Sequence, residues 1–156
     1  MSADEFELAQ MNVALPVGPL DSPVMAEFMA SLDRVNALAD AAPGFAWRLQ
    51  DDAGNATALR PMGEDVIVNM SVWRDVEALS DYVHKSGHVE YLKRRREWFQ
   101  RITEAYVVLW WVPKGHRPTM EEGVARLMKL RADGSTPDAF TFRQSFPAPA
   151  ARTELA

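Results

Sequence analysis

The segment 66-VIVNMSVW-73 restricts what this chain can fold into more than any other. It is rich in β-branched residues and alternates with a period of two, the signature of a strand. Val66, Val68, Met70 and Val72 fall on one face; Ile67, Asn69, Ser71 and Trp73 fall on the other. One face is wholly apolar and the other carries two short polar side chains, so neither suits water and both need a cover.

The flanking segments supply the rest of the sheet. The stretch 6-FELAQMNVAL-15 alternates and stops at Pro16, and 45-FAWRLQ-50 and 106-YVVLWWVP-113 are two further strands. Between them lie a helix entered through Ser22 and Pro23, a short helix over 76–83, and a longer one predicted from about His88 to Thr103. Thr119 and Glu122 have capping-box spacing ahead of a helix that Gly134 ends, and 139-AFTFRQSF-146 is a candidate last strand. The order is βαββαβ with an appended αβ, an α+β ferredoxin-like split unit with helices on one sheet face. A second sheet, most simply that of another copy, would cover the free face, which predicts a homodimer. Residues 1–146 read as one domain and the Pro/Ala tail 147–156 as mobile.

Composition removes several function classes. The chain has 156 residues and a net charge of −5, which argues against nucleic acid as a partner. The absence of cysteine excludes thiolate nucleophiles and zinc ribbons. No apolar run approaches the ~20 residues that cross a bilayer, and the acidic N-terminus has no signal-peptide pattern, so no membrane partner and a cytoplasmic location are expected.

The stretch 70-MSVWRDVEALSDYVHKSGHVEYL-92 carries a strand ending in tryptophan, a short helix with an aromatic near its end, and a Ser-x-His turn opening the next helix. In this it resembles the dimeric α/β-barrel superfamily of antibiotic-biosynthesis monooxygenase-like proteins. Through 35-VNALADAAPGFAWRL-49, 94-RRREWF-99, 110-WWVPKGHRPT-119 and 139-AFTF-142 it further resembles an uncharacterised bacterial family of that superfamily, known as a domain of unknown function. The resemblance implies a dimeric α/β barrel. Relatives include cofactor-free oxygenases, haem degraders, isomerases and proteins with no known reaction, so it fixes no activity.

The haem-degrading branch implies an asparagine on the first strand, a tryptophan on the short helix and a histidine on the next. Asn12 lies in the right strand, but Tyr82 takes the tryptophan's place and Lys93 or Arg94 the histidine's. The chain departs from that pattern, so no cofactor is expected; haem held by His84 or His88 is the alternative. No third ligand stands near these histidines to complete a metal site.

On the predicted helix after Gly87, His88, Tyr91, Leu92, Arg95, Trp98, Phe99 and Ile102 share a stripe. Charged groups in an apolar stripe need partners, either within the protein or in a ligand. The second possibility makes His88, Arg95 and Asn69 candidate catalytic residues, with His88 moving a proton while Arg95 and Asn69 steady negative oxygen. Ser71, Trp73, Tyr82, Tyr91, Trp98, Trp47 and Trp111 are the candidate ligand-binding residues. A bulge would decide whether Trp47 or Arg48 shares the face of Asn69. The expectation is a pocket for a small aromatic or polyketide-like molecule, serving a cofactor-independent monooxygenase, isomerase or cyclase. A non-catalytic ligand-binding or structural dimer is the rival.

Overall fold

The computed structural model describes residues 5–50, 66–85 and 94–149, and of Lys85, Arg95 and Arg96 the backbone alone. Strand β1 (Phe6–Ala14) leads through a 3-10 turn at Pro23–Met25 into helix α1 (Ala26–Asp40). Strands β2 (Phe45–Arg48) and β3 (Ile67–Trp73) follow, then α2 (Val76–Lys85), the single turn α3 (Arg95–Trp98), β4 (Val107–Pro113) and α4 (Met120–Asp133). The sheet order is β2-β3-β1-β4 with every pair antiparallel. This is the expected βαββαβ arrangement of an α+β ferredoxin-like fold.

Alternation assigns each face of the sheet its own cover. Leu8 and Trp73 join Leu79 and Tyr82 of α2 and Ala39 of α1 in one cluster. The opposite face, built from Ala9, Met11, Val13, Val68, Met70, Val72, Val108 and Trp110, packs against Leu127 and Leu130 of α4. The apolar face of β3 is therefore covered within the chain by α4.

Two glycines permit close approach. Gly44 turns the chain from α1 into β2 at φ +83°, and a Cβ there would stand 2.5 Å from the Cβ of Ala78. Gly123 seats α4 on the sheet, where a Cβ would meet the Met11 sulfur at 2.6 Å and the Met70 sulfur at 3.1 Å. Thr119 caps α4 by accepting from the Glu122 N–H at 3.1 Å. The Glu122 carboxylate does not return to complete the capping box; it accepts from Trp110 Nε1 and pairs with His116 Nε2, both at 2.8 Å.

Three expected elements differ. The helix predicted to Thr103 ends at Trp98 because the loop after β1 captures its backbone: Val17 N–H donates to the Trp98 carbonyl and Gln100 N–H to that of Leu15. The start of that helix lies outside the described residues. The expected strand at 139–146 is reduced to two isolated bridges, Ala139 with Thr136 and Phe140 with Leu109, after which Thr141 turns the chain by accepting from the Gln144 N–H. Ser22 precedes the first helical turn in an extended conformation, but its hydroxyl donates to the Pro19 carbonyl instead of capping. Of the tail, Ala148 is buried and residues from 150 lie outside the described residues.

The Gly123 contact predicts that Gly123→Val destabilises the fold by roughly 1–3 kcal/mol, since a branched side chain would overpack two buried thioethers. Urea denaturation followed by tryptophan fluorescence checks this.

Candidate functional site

The pairing of β1 with β3 sets Gln10 opposite Ser71 and Asn12 opposite Asn69. All four side chains lie on the face toward α1 and α2, because each alternates with residues of the α4 side. Gln10 Nε2 donates to Asn69 Oδ1 at 2.7 Å and Ser71 Oγ at 2.8 Å, and its Oε1 accepts from Asn12 Nδ2 at 3.1 Å. Trp73 Nε1 donates to the same Ser71 Oγ at 2.8 Å. Gln10 and Ser71 are 4% and 5% exposed, so the row is a polar floor whose two buried members are hydrogen-bonded within it. Asn69, exposed, carries the row out to water.

Between this floor and the helices lies a cavity of about 370 Å³, within the ~300–1,000 Å³ typical of small-molecule sites. Its apolar wall comes from Phe28, Leu32 and Val35 of α1 and Leu79 and Val83 of α2. Asn36, Arg48, Tyr82 and His84 supply the polar groups. The register shift between Phe45 and Trp47 in β2 is what brings Arg48 to this face, opposite Ser71, while Trp47 packs on the α4 side. Arg48 is held by Asp40, Nε to Oδ1 at 2.8 Å.

Tyr82 and His84 each meet a backbone carbonyl. The Tyr82 hydroxyl donates to the Val35 carbonyl at 3.0 Å, and its ring lies 5.0 Å from that of Trp73. Burial, and secondarily the Asp40 carboxylate, raise its pKa well above the usual phenol range, so it stays protonated. His84 Nδ1 lies 2.9 Å from the Ser80 carbonyl. Ser80 Oγ stands 3.2 Å from the same nitrogen; a carbonyl can only accept, so the tautomer that donates from Nδ1 to it leaves Nε2 as the accepting ring nitrogen.

The residues picked out in the sequence divide by place. Asn69, Ser71, Trp73 and Tyr82 come together around the cavity. Trp98 packs 5.6 Å from Phe28, behind the wall. Trp47 is on the opposite sheet face. Trp111 donates to the Phe146 carbonyl at 2.8 Å, away from the cavity. His88 and Tyr91 lie outside the described residues, and Arg95 is described in backbone only, within α3. Gln10 and Asn36 complete the site but were not singled out; Arg48 was weighed only as the alternative to Trp47 on this face, and His84 only as a haem ligand. The alternation of Gln10 with Asn12, and Asn36 within the Leu32, Val35, Ala39 stripe, were visible signals; the β2 bulge was not.

Among the described residues no three His, Asp or Glu side chains are grouped to hold a metal, and no helix is long and apolar enough to cross a membrane.

Fold and cavity together define an α+β ferredoxin-like protein with a small-molecule-sized space between sheet and helices. The chain belongs to the DUF3291 family, whose model, a domain of unknown function, matches residues 7–156. No curated protein matches it. Among solved structures it is similar to SnoaB, a cofactor-independent oxygenase from Streptomyces nogalater, at 19% identity over 74% of this chain and 98% of that one, TM-score 0.44. It is also similar to Rv0793 from Mycobacterium tuberculosis (15% identity, 72% and 99% covered, TM-score 0.46). A dabb family protein with a ferredoxin-like fold from Mesorhizobium loti is a third (14%, 70% and 99%, TM-score 0.44).

The environment of Tyr82 predicts an alkaline limit. Above the ordinary phenol pKa of 10.0 the unfolded chain releases this proton while the folded chain keeps it, so stability falls as pH rises past 10. Tyr82→Phe should cost about 1 kcal/mol at pH 7 and show a shallower loss above pH 10, read from urea midpoints across pH.

Proposed function

We propose that this protein binds a small, largely apolar molecule bearing oxygen in the cavity between its sheet and helices α1 and α2. The observation that carries the reading is the polar row of Gln10, Asn12, Asn69 and Ser71 facing an aliphatic and aromatic wall across about 370 Å³. Such a combination supports orientation through a few hydrogen bonds and affinity through apolar burial.

The chemistry we assign to the site is proton transfer beside a carbonyl, the step shared by cofactor-independent oxygenation with dioxygen, isomerisation and cyclisation. Two side chains support it. His84, with Nδ1–H given to Ser80, offers Nε2 as the proton acceptor. Asn69, whose Oδ1 accepts from Gln10 and Asn12, keeps its amide hydrogens for an oxygen that gains negative charge. Haem fits this wall poorly: it brings two carboxylates, and the one guanidinium among the described lining residues, Arg48, is paired with Asp40.

Binding is read from the Trp73 indole N–H resonance in a two-dimensional NMR titration with 1-tetralone. The signal should shift in the unaltered protein and stay fixed in Leu32→Trp, which fills the cavity from α1. Asn69→Ala should weaken binding five- to tenfold, the scale of one hydrogen bond to a ligand oxygen. An unmoved Trp73 signal at millimolar 1-tetralone, or a shift that persists in Leu32→Trp, rejects the cavity as the binding site.

A further inference from the structure

The buried floor residues Gln10 and Ser71 are hydrogen-bonded within the row, whereas Asn36 on the helical wall is not. Asn36 sits on α1 at a position surrounded by apolar neighbours, Leu32, Val35 and Ala39. It is 8% exposed and lines the cavity. Its side-chain amide has no hydrogen-bond partner among the described residues. The other buried polar side chains, Gln10 and Ser71, are bonded at 2.7–2.8 Å. A buried amide without a partner is costly to the free protein, and replacing it by an aliphatic side chain would relieve that cost. Position 36 also accepts an aliphatic side chain by pattern, since it continues the apolar stripe of α1. An amide kept there fits a bound group better than it fits the empty cavity.

We infer that the ligand carries two separated oxygen functions on one apolar frame, one meeting the sheet at Asn69 and Ser71 and the other meeting Asn36 across the cavity. Asn36 is thereby a specificity-determining residue. Its carboxamide offers a donor and an acceptor together, so it takes a hydroxyl or a carbonyl and gains nothing from an unsubstituted hydrocarbon edge. The compound class is a hydroxy-ketone, or a diol or diketone with the same separation, on a bicyclic or similar frame. This rests on the binding reading above. It adds the second anchor, and with it discrimination: an analogue lacking one oxygen leaves a buried amide unpaired, the situation in which selectivity is largest.

The test uses four compounds on one skeleton: tetralin, 1-tetralone, 5,6,7,8-tetrahydro-2-naphthol and 6-hydroxy-1-tetralone, titrated into the full-length protein by calorimetry or NMR. The two-oxygen compound should bind about tenfold tighter than either one-oxygen compound. Asn36→Leu should abolish that advantage, leave tetralin binding unchanged or stronger, and raise the melting temperature of the free protein. Equal affinity of the three oxygenated compounds would overturn the inference while leaving the cavity as a binding site. The inference also fails if Asn36→Leu lowers the melting temperature and preserves the tenfold advantage, since Asn36 would then be a structural residue satisfied by water. If none of the four binds, the cavity reading itself fails and this inference with it. The compound series in the unaltered protein needs no variant, so a misfolded Asn36→Leu would not protect the proposal.

Discussion

Everything distinctive about this molecule depends on the register of β1 against β3. Met11 opposite Met70 and Asn12 opposite Asn69 are consecutive pairs on one ladder, yet they face different interiors. A slip of one residue on either strand would turn amides into the packing layer of α4 and thioethers into the cavity. Each mismatch would bury an unpaired polar group, so the register is enforced from both sides of the sheet at once. The floor of the cavity and the seat of the C-terminal helix are thus two outcomes of a single alignment.

Much of this was legible in the residues. The two-faced pattern of 66-VIVNMSVW-73 demanded a cover on each side, and the element order gave the antiparallel α+β sheet. What the pattern could not reveal was the identity of the second cover. Leu127 and Leu130 of α4 satisfy the same apolar face that another sheet would, and burial alone does not distinguish a helix of the same chain from a strand of a second one. Local competition was likewise hidden. The stripe Trp98, Phe99, Ile102 has helical spacing, but backbone groups at Leu15 and Val17, remote in sequence, take the hydrogen bonds that would continue the helix.

The site was partly legible for similar reasons. Asn69 and Ser71 stood out because polar residues on an inward strand face need partners; the same logic applied to Gln10 and Asn12 finds those partners. Arg48 required knowledge of a bulge, which shifts parity without leaving a compositional mark. His84 sits at the exposed end of α2, where a histidine is unremarkable until its Nδ1 is seen bonded to Ser80 and its ring beside the cavity.

The contact beneath Gly123 ties the fold to oxidant exposure. Met11 and Met70 present their sulfurs to a helix backbone so near that not even a methyl group fits between them. While α4 is seated, both thioethers are sealed from peroxide. Should α4 lift, either could become a sulfoxide, adding a polar oxygen where the helix must return. Conversion of these two methionines would therefore record past opening of the C-terminal helix, and reductive repair would be the condition for its closing again.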